Sequence, residues 1–159
     1  MIYLFLAALI FCIDEAFKNR IEKKPGSEFP ASLKHGICLE KHHNYGFPLN
    51  KSDDKPWLVQ LISVLVMIPL TIWAAWLFFS RGGKKGGIFT RLMGKLGASF
   101  LLGGAASNLY DRLNRGYVVD YIRFPNCRIK KIRHIIFNIA DFFLFMGAAL
   151  SVLYGLLQD

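Results

Sequence analysis

The stretch FNIADFF, residues Phe137–Phe143, places an asparagine and an aspartate three positions apart in a strongly apolar run. From Ile135 to Leu157, Asp141 is the one formally charged side chain. Such a run predicts a membrane-spanning helix, because about 20 mostly apolar residues cross a bilayer. A charge inside a span costs roughly 2.5–3.5 kcal/mol on insertion scales, so it usually faces a cavity or a partner. Asn138 and Asp141 therefore indicate either a polar pair that joins helices or a functional site.

Three further stretches are strongly apolar: Ile2–Phe17, Trp57–Phe79 and Leu92–Tyr110, of which Trp57–Phe79 is uncharged throughout. Of 159 residues, 53% are hydrophobic, which is more apolar surface than a small soluble domain can bury. We predict an all-α membrane protein, a four-transmembrane-helix bundle with a small extended, β-rich extracytoplasmic loop region. One integral membrane domain would cover 1–159, with spans at about 1–18, 57–79, 92–111 and 135–157 and outer loops at 19–56 and 112–134. The first stretch lacks a basic start and a small-residue cleavage site, so we expect a retained span.

The basic residues lie between the apolar stretches. The net charge is +9, and nucleic acid is a common partner of so basic a chain. Cations beside membrane spans favour anionic membrane lipids instead, so we predict no nucleic-acid partner. The linker Ser80–Arg91 holds four basic residues and no acid, while Asp111–His134 holds seven basic residues and two acids. Because these two loops lie on opposite faces of a four-span bundle, the positive-inside rule leaves the orientation open.

The predicted loops contain short extended segments. Tyr117–Phe124 (YVVDYIRF) is rich in β-branched and aromatic residues, which predicts a strand. A second extended segment is expected around Gly36–Leu39. The sequence RIKKIRHII, residues 128–136, fits a basic segment lying on lipid headgroups, although a solvated loop explains it almost as well.

The third span is rich in small residues. Gly94 and Ala98 are four apart, as are Gly103 and Ser107. This spacing lets membrane helices approach closely, so we expect the third helix to be central in the bundle.

Polar side chains recur at helical spacing near the ends of the first and third spans. Asp14 and Lys18 are four apart, which indicates either an ion pair anchoring the helix end or a pair that supports a site. Asn108, Asp111 and Arg112 share one helix face. They form either a cap at the headgroup level or a polar cluster inside the bundle.

Asp120 and Asp141 are candidates for a carboxylate dyad. Asp120 lies in the predicted strand, where it either faces outward or folds back against the helices. Two neighbouring carboxyls do not ionise together easily, so one keeps a proton while the other acts as a base, which suits attack of water on an amide. Spacing alone leaves Asp111 as an alternative member of the pair. The chain shows neither a nucleophile-like serine or cysteine nor a phosphate-binding glycine loop, and we predict no cofactor.

A metal-binding membrane protein is a competing hypothesis. His35, Cys38, His42 and His43 lie within nine residues, and imidazole with thiolate suits zinc. A surface-loop coincidence explains the same spacing, and the site we predict contains no metal. Cys38 could also pair with Cys127, since both lie in the predicted outer loops.

The run GGAASNLYDRLNRGYVVDYIRF, residues 103–124, followed by FNIAD, residues 137–141, resembles the lipoprotein signal peptidases (signal peptidase II), the intramembrane aspartyl proteases of bacteria. That family shows GG-x-x-GN-x-x-DR-x-x-x-G-x-V-x-D-[FY]-I and then FN-x-AD. Upstream, Asp14-Glu-Ala-Phe-Lys18 is similar to the family's D-Q-x-T-K, and Asn44-Tyr-Gly46 to its N-x-G. The resemblance covers all four predicted spans in order. It implies a multi-pass protein of the bacterial inner membrane with both termini in the cytoplasm.

The resemblance also implies a role for each matching residue. Asp120 and Asp141 match the catalytic pair that activates water. The expected substrate-binding residues are Asn44, Gly46, Asn108, Arg112 and Asn138. The expected structural supports are Asp14, Lys18 and Asp111. The implied substrate is a prolipoprotein with a diacylglyceryl-modified cysteine, cleaved just before that cysteine by a monomeric enzyme.

Several positions depart from the family pattern. Ser107 stands where Gly is usual, Glu15 where Gln is usual and Phe17 where Thr is usual, while Phe142 replaces a small polar residue. None of these changes removes a carboxylate. A bulky Phe142 beside Asp141 motivates a further hypothesis, a relative that binds lipopeptides without cleaving them.

Overall fold

The computed structural model describes residues 1–33, 36–46, 56–80 and 87–157. Within these residues the chain forms four α-helices: α1 (Ile2–Lys23), α2 (Pro56–Phe79), α3 (Ile88–Asn114) and α4 (Ile139–Leu156). It also forms four short strands: β1 (Ala31–Ser32), β2 (Cys38–Asn44), β3 (Val118–Arg123) and β4 (Ile136–Phe137). The strands build one antiparallel sheet in the order β1-β2-β3-β4. The predicted helical protein with a small β-rich region is confirmed.

Two of the described helices are long and apolar enough to cross a membrane. Trp57–Phe79 has a mean hydropathy of 2.2, and Ile139–Leu156 has a mean hydropathy of 1.8. The helices α1 and α3 are also long, but each buries several charged or polar side chains against the other helices. The count of four spans therefore stays a prediction.

The helix α3 is the centre of the bundle and packs against α1, α2 and α4, as the small-residue spacing predicts. A Cβ added at Gly103 would lie 2.6 Å from the backbone oxygen of Ala7 in α1, and one at Gly97 would lie 2.8 Å from Ser151 Oγ in α4. Such close helix contacts tolerate only small side chains.

The sheet is attached to the end of α1 by a small apolar core. Val119 and Tyr121 of β3 are buried together with Ile21, and the Tyr121 ring stacks on Phe17 of α1. The predicted extended segment Tyr117–Phe124 is thus observed as β3. The strand β2 pairs with β3 along its length, with an irregularity between Leu39 and His42.

The helix α4 begins at Ile139, four residues after the start of the predicted span. Asn138 Oδ1 accepts a hydrogen bond from the backbone N–H of Asp141 at 3.0 Å, and Asp141 Oδ2 accepts one from the backbone N–H of Asn138 at 3.0 Å. This capping box fixes the first turn, and the preceding Ile136–Phe137 pairs with β3 instead. Asp141 therefore lies in the first turn of α4, with Asn138 as its cap, rather than well inside the helix.

All three cysteines are free. Cys38 is buried and Cys127 is half-buried, and the disulfide between them that the sequence left open is not formed.

Candidate active site

Lys18 is the centre of a buried ionic cluster between α1 and α3. Its Nζ lies 2.7 Å from Asp14 Oδ2 and 3.0 Å from Asp111 Oδ2, and all three side chains are fully buried. The same nitrogen donates to Ser107 Oγ and Asn108 Oδ1, each at 3.0 Å. Buried charges of both signs are thereby paired, which is the condition for tolerating them away from water.

Asp14 also connects α1 to the start of α4. Its Oδ1 accepts hydrogen bonds from the backbone N–H of Ala140 and from the hydroxyl of Tyr121, both at 3.2 Å. The Tyr121 hydroxyl in turn accepts from the backbone N–H of Ile139 at 3.3 Å. These contacts bind the first N–H groups of α4, which lack partners within the helix. The ionic cluster therefore fixes where α4 begins, and with it the position of Asp141.

Asp111 connects the cluster to β3. Its Oδ2 accepts from the backbone N–H of Val119 at 3.1 Å, and its Oδ1 pairs with Arg115. Arg115 also pairs with Glu15 at 3.2 Å. Asp111 thus holds the strand that carries Asp120. Its carboxylate pairs with Lys18 and Arg115 rather than with Asp120 or Asp141. Among the open alternatives, this geometry favours Asp120 and Asp141 as the pair.

Asn138 joins the two candidate carboxylates. Its Nδ2 donates to Asp120 Oδ1 at 2.7 Å, while its backbone N–H donates to Asp141 Oδ2 at 3.0 Å. Asn108 donates from Nδ2 to Asp141 Oδ1 at 3.2 Å and accepts from Asn138 Nδ2 at 3.3 Å. One amide network therefore joins the middle of β3 to the start of α4.

Asp120 is 4% exposed and faces back toward the helices rather than outward. The pKa of Asp120 is raised to about 7, mainly because the carboxyl is buried and secondly because of the negative charge of Asp141. Hydrogen bonds from Asn44 and Asn138 oppose that increase in the pKa. A carboxyl with a pKa near neutrality exchanges protons readily at physiological pH, as a general acid or base must.

One of the two predicted loop residues contacts the same carboxyl. Asn44, at the end of β2, donates from Nδ2 to Asp120 Oδ2 at 3.0 Å. Its Oδ1 accepts from the backbone N–H of Gly46 at 3.1 Å, so it also fixes the turn that follows β2. Residues 47–55 of this loop lie outside the described part of the chain.

Arg112 is a predicted site residue with an unused hydrogen-bond donor. Its Nε is buried without a hydrogen-bond partner, and one Nη atom makes a long 3.4 Å contact to the backbone oxygen of Asn108. Its charge interacts with those of Asp120, Asp141 and Asp111. A guanidinium with unused donors beside two carboxylates is suited to bind a carbonyl-bearing ligand.

Four contributors were not predicted as site residues. Glu15 was noted as a departure from the family pattern, and Ser107 as a departure and as a small residue of the third span. The Ser107 hydroxyl lies 2.7 Å from Asp14 Oδ2 and 3.1 Å from Glu15 Oε1. No sequence pattern marked Arg115 or Tyr121 as a site residue, because their roles depend on contacts with residues more than 90 positions away in the sequence.

The described residues of the alternative metal site have separate surroundings. His43 Nε2 hydrogen-bonds Glu22 Oε1 at 2.7 Å and its ring stacks on Tyr117, while His42 is exposed and Cys38 is buried. His35 lies outside the described residues. Among the residues that the structure describes, no three His, Cys, Asp or Glu side chains are arranged to hold a metal ion.

Phe142 packs away from the candidate carboxylates. Its ring contacts Phe124 and Phe137, with centroid separations of 6.2 and 5.8 Å. Aromatic packing between the β3–β4 hairpin and α4 accounts for this bulky residue.

The sequence matches a known protein family along most of its length. Residues 6–157 match the family model of signal peptidase (SPase) II. The lipoprotein signal peptidase of Caulobacter vibrioides is 32% identical over 162 residues, which cover 97% of this chain and 86% of that protein. The lipoprotein signal peptidase of Alteromonas mediterranea is 30% identical over 155 residues, which cover 95% and 78%.

Two solved structures described as bacterial membrane enzymes share the fold. The one determined by the in meso method at 1.9 Å has a TM-score of 0.73 and 26% identity, and the match covers 99% of this chain and 93% of that one. The one determined at 2.3 Å has a TM-score of 0.72 and 25% identity, and the match covers 97% and 87%. The fold is thus that of a bacterial membrane enzyme. The chain belongs to the signal peptidase II family, and its family implies a protease that processes lipoproteins.

Proposed function

We propose that this chain is an intramembrane aspartyl endopeptidase that removes the signal peptide from diacylglyceryl-modified prolipoproteins. The observation that carries the proposal is the single residue Asn138, which donates to Asp120 through its side chain and to Asp141 through its backbone. In this proposal the two carboxyls held by Asn138 share one water, as the carboxyl pair of an aspartic protease does.

The proposed chemistry uses water as the nucleophile. Asp141, in the first turn of α4 where a carboxylate is stabilised by the helix dipole, takes a proton from the water as its oxygen attacks the scissile carbonyl. Asp120, protonated in part because its pKa is about 7, donates its proton to the carbonyl oxygen. The resulting gem-diol collapses when the C–N bond breaks. Asp120 takes back a proton from one gem-diol hydroxyl as the carboxyl product forms, and the proton held by Asp141 goes to the departing amine. One water is consumed, and both carboxyls return to their starting protonation states.

The neighbouring residues are assigned to substrate binding and support. Arg112 would donate to a backbone carbonyl of the substrate, since its Nε has no partner within the described chain. Asn44, Gly46, Asn108 and Asn138 would orient the peptide and the carboxyls. Asp14, Lys18 and Asp111 would fix β3 and α4 relative to each other, through the contacts described above.

The same proposal assigns a membrane arrangement. We place four spans in one domain of residues 1–159, both termini in the cytoplasm and the catalytic pair at the outer face of the bacterial inner membrane. The helices α2 and α4 have the hydropathy of spans, and α1 and α3 are enclosed with them in one bundle. We further propose that the monomer is active, because the described site is built within one chain.

The test is cleavage of a diacylglyceryl-modified precursor by the purified protein in detergent. Asp120→Asn and Asp141→Asn should each slow cleavage by at least roughly 10²–10⁴-fold, since each removes one acid–base partner. Glu28→Gln makes the same carboxyl-to-amide change at an exposed position and should leave the rate unchanged. Full activity in either aspartate variant, with melting curves showing folded protein, would rule the mechanism out.

A further inference from the structure

The loop between β3 and β4 is strongly basic and is not used by the proposed catalytic site. Between Phe124 and Ile135 it contains Arg128, Lys130, Lys131, Arg133 and His134 and no acid. Under the proposed orientation this loop lies on the outer face, against the usual bias of positive charge toward the cytoplasm. So many cations on that face call for a specific partner.

The loop is folded rather than extended from the surface. Arg123 donates to the backbone oxygen of Arg133 at 2.8 Å and to Glu40 Oε1 at 2.6 Å. Arg133 donates to the backbone oxygen of Cys127. Ile132–His134 forms one turn of 3₁₀ helix. Two arginines are therefore used to hold the loop in one shape, which gives the remaining side chains fixed positions.

The other cations face outward together with an isoleucine. Arg128, Lys130 and Lys131 are exposed, and within the described residues none of them forms an ion pair or a side-chain hydrogen bond. Ile129 lies among them and is 58% exposed. Unpaired cations around an exposed apolar side chain are typical of a segment that rests at the level of lipid headgroups.

The position of the loop is consistent with a membrane surface. It ends at Ile135, four residues before α4, which is one of the two helices with the hydropathy of a span. Clusters of Lys and Arg directly beside a span attract anionic lipid, by roughly a fivefold factor in association for each cation. We propose that Arg128, Lys130 and Lys131, with Ile129 inserted between them, form a binding surface for anionic phospholipid headgroups, and that this contact holds the β3–β4 hairpin at the membrane.

The consequence concerns the catalytic residues. The loop is the covalent connection between β3, which carries Asp120, and the Asn138–Asp141 cap of α4. A hairpin held on the bilayer keeps these two segments together while substrate enters between them. Anionic lipid should therefore accelerate cleavage, and this part of the inference rests on the proposed function.

The experiment compares the full chain with two matched double variants in vesicles. R128Q/K130Q removes one arginine and one lysine from the loop. R20Q/K23Q removes one of each from exposed positions near the end of α1. Each protein is reconstituted into neutral phosphatidylcholine vesicles and into vesicles containing phosphatidylglycerol, and it is given a diacylglyceryl peptide with an uncharged segment after the cysteine.

The wild-type protein and R20Q/K23Q should cleave roughly fivefold faster with phosphatidylglycerol, and salt should weaken this acceleration. R128Q/K130Q should match them in neutral vesicles and show no acceleration. Equal acceleration of all three proteins would overturn the inference, as would no acceleration of the wild type. A loss of rate in R128Q/K130Q that is the same in both vesicles, or that appears only with an acidic segment after the cysteine, would assign the cations to the polypeptide substrate instead.

A second measurement separates this inference from the proposed function. Phosphatidylglycerol retained by each detergent-purified protein is counted by native mass spectrometry, which requires no activity. The loop variant should retain less than the wild type and R20Q/K23Q. If no protein cleaves the peptide but the loop variant retains less lipid, the proposed function fails and the lipid site stands. Equal retention by all three overturns the lipid site.

Discussion

Two groups of carboxylates lie side by side in this protein, and they are held in different ways. Asp14 and Asp111 are bound by the ammonium of Lys18 at 2.7 and 3.0 Å. Asp120 and Asp141 are bound by the amides of three asparagines, and within the described residues neither forms an ion pair with a basic side chain. A cation compensates a buried charge and fixes it, whereas an amide orients a carboxyl without neutralising it. The first arrangement suits a support and the second suits proton exchange.

The largest expected effect comes from removing the cation. Lys18→Met should lower the free energy of unfolding by about 3–5 kcal/mol, because it leaves the buried Asp14 carboxylate without a counter-charge and Asp111 with Arg115 alone. Unfolding in detergent, followed by circular dichroism, measures the change. Lys24→Met breaks an exposed ion pair with Glu28 and should cost about 0–1 kcal/mol. Similar losses in both variants would contradict the structural role of the cluster.

Asp120, in the group held by amides, should instead make the stability of the protein depend on pH. The pKa of Asp120 is about 7 in the folded protein and 3.8 ordinarily, so the folded state binds more protons between these values. Its stabilising contribution is fully present below about pH 4 and is lost as pH rises through 7, by about 4 kcal/mol in all. Asp120→Asn should therefore gain stability relative to wild type between pH 4 and pH 8, as measured by melting temperature at each pH. Glu28→Gln, at an exposed carboxyl, is the control. A constant difference between Asp120→Asn and wild type across this pH range would show that Asp120 does not titrate near 7.

The smallest effect concerns one hydrogen bond of the proposed site. The Asn44 amide stabilises the ionised form of Asp120 and so lowers its pKa. Asn44→Ala should move the inflection in kcat/KM near pH 7 upward by about one to two units, given the 1.5–3 kcal/mol typical of a hydrogen bond to a charged group. Tyr45→Phe, at the exposed neighbouring residue, should leave the inflection in place. A profile that Asn44→Ala does not move would remove Asn44 from the control of Asp120.

Much of the fold and the identity of the candidate residues could be predicted from the sequence. The small residues of α3 predicted its central position, and the β-branched run around Val118–Arg123 predicted a strand. Polar residues in apolar runs marked Asp14, Lys18 and Asp141, because burial of such groups is costly without partners. The first residue of α4 could not be predicted from the sequence. Hydropathy alone extends the apolar run back to Ile135, and the cap at Asn138 depends on local geometry.

By itself, the sequence determined which side chains had to find polar partners and which family the chain resembles, because both depend on residue type and order. Only the tertiary structure decided how those partners are shared. In the folded chain Asp111 pairs with Lys18 and Arg115, whereas Asp120 and Asp141 accept hydrogen bonds from asparagines. The ring of Phe142 packs against Phe124 and Phe137. These choices depend on contacts between residues far apart in the chain, and spacing along the sequence carries no information about distances across the bundle.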